Sequence, residues 1–85
     1  METNKYPVDV IALSSATGEL RPLRLRIPGD CRVVIDEVVS TTEITYVGVE
    51  ATVFLCRGRS AGKSCLFELK YYLRTHTWWL LRKIH

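Results

Sequence analysis

Histidine, cysteine and long apolar runs are all scarce in this 85-residue chain, and each scarcity removes a class of function. The two histidines are His76, in a short polar stretch that reads as a turn, and His85, the last residue. Neither is expected to be held by a scaffold. The three cysteines, Cys31, Cys56 and Cys65, form no C-x-x-C pair, and no H-x-x-H or Asp/Glu/His cluster offers metal-ligand spacing. No metal site and no cofactor are therefore expected. Ser14, Ser15 and Ser64 lack a histidine or lysine partner that spacing would justify. Asp36 and Glu37 are neighbours on a strand-like run, so they face apart and suit paired carboxylate chemistry badly. The expectation is a non-enzyme, with no catalytic residue and no small-molecule substrate.

No apolar stretch approaches the ~20 residues that cross a bilayer. The opening METNKYPVDV has no apolar core of the kind a secretory signal carries. An odd number of thiols without such a signal points to the reducing cytoplasm and to free cysteines. Cys56 and Cys65 are the one pair that a hairpin would bring opposite each other.

What the chain does have is the composition of a globular protein, 47% hydrophobic and 25% charged. Its length allows a single domain over residues 1–85, burying ~60–65% of the unfolded surface around one thin core. Turn residues recur at short intervals, the mark of a strand-rich fold. After Pro7 comes an apolar run, Val8–Leu13. Leu23, Leu25 and Ile27 alternate with Arg24 and Arg26, a period of two that splits them between opposite faces. Pro28-Gly29-Asp30 is a turn, and Cys31–Val39 is β-branched, with Val33 and Ile35 inward and a bulge or bend at Asp36-Glu37.

Ser40–Val47 is polar and threonine-rich and reads as a long loop or a ragged edge strand. Val49–Cys56 is a strand with Ala51, Val53 and Leu55 on one face and Thr52, Phe54 and Cys56 on the other. Arg57–Ser64 reads as a hairpin tip, Cys65–Leu73 as the next strand, and Trp78–Ile84 as the last. The pattern predicts an all-β fold: a small antiparallel β-barrel of about five to six strands, of SH3-like type, whose closure removes exposed edges.

Two surfaces stand out as functional candidates. Residues 1–50 hold eight acids and five bases, net −3, whereas residues 51–85 hold seven bases and one acid, net +6. The default meaning is that the halves pair when strands lie side by side. Arg57, Arg59 and Lys63, with Arg24 and Arg26, would otherwise make a basic track for nucleic acid. Gly58–Ser64 resembles a phosphate-binding loop, but three residues rather than four separate its glycines, and a strand follows it instead of a helix. The second surface is apolar. Both faces of Trp78-Trp79-Leu80-Leu81 are bulky, as at Val33-Val34 and Val53-Phe54, so Val34, Phe54, Tyr72 and Trp78 are candidates for an outward surface that meets a partner.

Gly18-Glu19-Leu20-Arg21-Pro22, Gly29, Arg32-Val33-Val34, Phe67-Glu68-Leu69 and Trp79-x-Leu81-x-x-Ile84 together resemble a family of small bacterial β-barrel (SH3-like) domains whose activity is unassigned. The resemblance spans most of residues 16–84 and implies a small β-barrel. The functional expectation is a protein-interaction or self-associating β module, with a protein partner or a homodimer. Accessory nucleic-acid binding is the alternative.

Overall fold

A computed structural model describes residues 5–29 and 31–84; Asp30 of the expected turn and the terminal His85 lie outside them. The described residues contain seven strands and no helix: β1 (Tyr6–Pro7), β2 (Asp9–Ser14), β3 (Leu20–Ile27), β4 (Cys31–Tyr46), β5 (Val49–Ser60), β6 (Lys63–Tyr72) and β7 (Thr77–Lys83). They form one antiparallel sheet in the order β1-β7-β6-β5-β4-β3-β2, curled into a half-barrel.

This replaces the expected barrel of five to six strands. The count rises because Tyr6 and Pro7, just ahead of the apolar run Val8–Leu13, form a short strand of their own, and Val8 still bonds on their side. Tyr6 and Pro7 pair with Leu80 and Trp79 of β7, and Val8 donates its N–H to the Trp78 carbonyl at 3.1 Å. From Asp9 onward the chain pairs with β3 instead. The two ends of the sheet order are thus consecutive in sequence.

The alternating patterns of β3 and β6 land as read, whereas Phe54 of β5, expected outward, turns into the core. Leu25, Val33, Phe54, Cys56, Phe67, Leu69 and Leu80 fill the concave side, joined there by Val8 and Cys65. The three cysteines are free thiols, so Cys56 and Cys65 stay unlinked: Cys56 lies opposite Phe67, and Cys65 opposite Gly58. Burial pushes the Cys56 thiol up to about 12, which keeps it protonated.

Of two segments without a settled strand reading, the one left open between a long loop and a ragged edge strand is strand as far as Tyr46, and part of the expected hairpin tip is strand too. Ser40–Tyr46 completes β4, paired with β5 from Ser40↔Leu55 to Tyr46↔Val49. Arg57–Ser60 completes β5, so the connection to β6 shrinks to Ala61-Gly62. Both hairpins close with two-residue turns in which both residues have positive φ, 47° and 80° at Val47-Gly48, 52° and 78° at Ala61-Gly62. That backbone matches the natural twist of the flanking strands.

The sheet bends where β4 crosses β5. Register slips between Ile35 and Glu37 leave Asp36 as an extra residue, and a second slip follows between Val38 and Ser40. Gly58 lies opposite Ile35 at this bend. A Cβ on Gly58 would stand 2.5 Å from the Val34 carbonyl oxygen, 3.2 Å from Val33 Cγ1 and 3.3 Å from Phe67 Cε1. The nearest obstacle is backbone and cannot swing aside, so only glycine permits this approach. Gly58→Ala is expected to destabilise the domain by about 2–3 kcal/mol, read as a lower urea midpoint at unchanged slope. An unchanged midpoint would show that the bend does not depend on this contact.

Candidate interaction surfaces

Three of the five cations proposed as a basic track are held by carboxylates from the acidic half. Arg59 forks onto Asp36 with two hydrogen bonds, Nε to Oδ2 at 3.0 Å and Nη2 to Oδ1 at 2.9 Å. Arg57 reaches Glu37 at 2.8 Å, and Arg26 reaches Asp9 at 2.6 Å. Arg82 and Glu68 make a fourth pair at 2.9 Å. The charge asymmetry of the sequence is therefore largely resolved between neighbouring strands. Arg24 and Lys63 carry no ion pair among the described residues. Arg57 and Arg59 sit within β5 rather than at a hairpin tip, because the strand runs on to Ser60. Strand alternation sets Arg24, Val34 and Arg59 side by side on the convex face. A shallow groove there is lined by Ile11, Arg24, Arg26, Arg32 and Val34, and Ile11 is 63% exposed.

The apolar candidates divide. Val34 is exposed on the convex face, as expected. Tyr72 is half-buried there, with Trp79 edge-on at 6.4 Å and the Lys70 ammonium 4.8 Å from its ring centroid. Phe54 and Trp78 do not belong to an outward surface. Phe54 is 2% exposed in the core, and the Trp78 ring turns inward, 5.5 Å from Phe54 and 4.7 Å from Tyr71. The cause is register. Trp78 pairs with Tyr71, which shares the concave face with Phe67 and Leu69, so Trp79 takes the outer position beside Lys70. Sequence could not choose between adjacent tryptophans on a strand that is apolar on both sides.

A further surface is the edge of β4, which the sequence offered only as a ragged edge strand or a loop and without a function. Its pairing with β3 runs only from Cys31↔Ile27 to Val34↔Arg24. Beyond Val34, β4 continues for twelve residues with β5 on one side and no strand on the other among the described residues. The departure coincides with the Asp36 bulge, whose carboxylate the Arg59 fork grips. Val38–Tyr46 contains no lysine, proline or glycine, the residues that usually blunt such an edge. Six of its nine residues are β-branched, the type favoured in strands.

At the tip, Tyr46 is 73% and Val47 is 83% exposed, and Val49 is exposed as well. Val47 holds φ 47°, a left-handed backbone that costs a branched residue about 1 kcal/mol. Its side chain gains almost no burial in return. The one hint in the sequence was Tyr46-Val47-Gly48-Val49 itself, three large apolar residues around a turn glycine.

Comparison with protein-family models, with curated proteins and with solved structures finds no match to this chain. No group of three metal-ligating side chains occurs among the described residues. Among the described residues no helix is long and apolar enough to cross a membrane.

The Asp36–Arg59 pair has a pH signature. The guanidinium hydrogen bonds hold the Asp36 carboxyl below its ordinary value of 3.8 and raise Arg59 in turn. A depressed carboxyl stabilises the fold above the ordinary value, and that contribution is lost as pH falls through the depressed one. Asp36→Asn should therefore lower the urea midpoint at neutral pH. The gap to the unaltered chain should close progressively below about pH 4. A gap that persists undiminished at the lowest pH would show that Asp36 does not act through its charge.

Proposed function

We propose that this domain is a non-enzymatic protein-interaction module of SH3-like barrel type, working in the reducing cytoplasm, that receives an extended chain segment on the free edge of β4. The observation that carries this reading is the length of that edge. About a dozen residues of extended backbone have β5 on one side and no strand on the other among the described residues, and main-chain hydrogen bonds to an added strand would satisfy their outward N–H and C=O groups. The exposed Tyr46, Val47 and Val49 beside the edge would supply apolar contacts that a bare backbone lacks. The barrel reading is supported by the way Tyr6–Ser14 contacts both ends of the sheet order.

Edge phase decides which residues face the partner. Tyr46 and Val49 flank a two-residue turn, where the flanking residues exchange both ladder bonds. Counting back by twos, Ile44 and Thr42 also bond to β5, leaving Thr41, Glu43 and Thr45 with N–H and C=O turned outward. Thr41→Pro should therefore remove an outward donor while sparing the β4–β5 ladder. Random peptides displayed on phage should enrich on the immobilised domain, and those binders should be lost on Thr41→Pro. Enrichment that ignores the substitution, or none at all, would overturn the reading.

Nucleic-acid binding through Arg24, Arg26, Arg57, Arg59 and Lys63 is the alternative, favoured by the gathering of arginines on the convex face. Against it, carboxylates already occupy the groups of Arg26, Arg57 and Arg59 that would meet phosphate. Short DNA and RNA should show no retention even at low salt. Tight binding that falls steeply with added salt would reverse the preference.

A further inference from the structure

We propose that the segment received by β4 is β4 of a second copy of this chain, the two strands pairing antiparallel about a two-fold axis through Thr42. This rests on the interaction-module reading and names its occupant. A two-fold contact uses the same patch on both partners, so the strand must be its own complement. Outward residues must also meet outward residues, which places the axis on a residue rather than between two.

Four axes are then open, and the side chains separate them. An axis on Glu43 would set two carboxylates directly opposite each other. An axis on Thr41 would set the charged Glu43 against the apolar Val39. An axis on Ile44 would set Thr41 against Val47 of the turn and cut the ladder short. An axis on Thr42 sets Thr41 opposite Glu43 and Glu43 opposite Thr41, with Ser40 opposite Ile44. In that register each threonine hydroxyl can donate to the facing carboxylate. Glu43 is the one ionised side chain of Val38–Tyr46, and it meets no like charge.

The exposed apolar residues fit the same axis. Val39 lies three positions before Thr42, and Tyr46-Val47 lie four and five after it. Antiparallel pairing therefore carries the Tyr46-Val47 tip of each copy onto the exposed Val39 region of the other. Thr45 would face Val39, at the second register slip of β4. The exposed Val39 of one copy and the exposed Tyr46-Val47 tip of the other would then lie near each other, at both ends of the paired edge. An unrelated extended peptide would not be bound to carry apolar residues at both of these spacings.

Sedimentation velocity of the whole chain, from micromolar to millimolar concentration, should show a monomer–dimer equilibrium. Thr41→Pro deletes one ladder donor per copy and should weaken the dimer about thirtyfold, with the far-ultraviolet circular dichroism unchanged. A second variant reads the register without relying on proline. With Cys31→Ser removing the exposed native thiol, Thr42→Cys should form an intermolecular disulfide under mild oxidation, because directly opposed Cβ atoms lie ~4.5–5.5 Å apart. Thr45→Cys in the same background should not. A monomer at every concentration, a dimer indifferent to Thr41→Pro, or preferential crosslinking through Thr45→Cys would each overturn the proposal. A strict monomer that still enriches Thr41→Pro-sensitive peptides would overturn the second copy as occupant and leave the interaction module standing. Loss of both results would end both readings.

Discussion

The arrangement of the sheet turns on one close approach of main chain to main chain, where Gly58 of β5 passes under the Val34 carbonyl of β4. Any side chain at Gly58 would push the strands apart at the point where β4 must change direction. Because they meet, β4 can leave β3, insert Asp36 as an extra residue and continue along β5 alone. The Arg59 fork then fixes the inserted carboxylate from the next strand. The core on one side of this bend and the open edge on the other follow from it. A chain that kept β4 paired to β3 along its whole length would have no edge to offer.

The ionic pattern of the outer surface follows from the same strand order. An acidic N-terminal half and a basic C-terminal half invite a reading as a polyanion-binding surface. Neighbouring strands instead set Asp36 and Glu37 beside Arg59 and Arg57, so much of the asymmetry is spent within the chain. These are exposed pairs, whose individual stabilisation is small and sensitive to salt. Their larger effect is geometric. They hold the bulge in one shape and lower the positive potential of the convex face.

Much of the concave side was legible from alternation alone. Leu25, Phe67 and Leu69 each sit in a run where apolar and polar residues take turns, and each is buried. Legibility failed where the physics that creates alternation was missing. Ser40–Tyr46 has little apolar contrast because half of its environment is open edge, so its pattern could not decide between a loop and an edge strand. Arg57–Ser60 resembled a loop, since glycine and arginine there serve a backbone crossing and ion pairs rather than core packing. Phe54 and Trp78 could not be assigned a face from runs that are bulky on both sides; only cross-strand register settles them. The division of the chain at Val8 between two partner strands, which raised the strand count, is a long-range event with no local signature.

That division also dictates an order of events in time. Tyr6 and Pro7 find their partners in Leu80 and Trp79, more than seventy positions downstream, while the very next residues bind a nearby strand. During synthesis the leading segment can lie down along β3 early, yet its first two residues must wait until the closing strand has left the ribosome. The last seam of the sheet is therefore closed by a strand made well before its partner, and a truncation that removed only β7 would leave β1 without a partner as well.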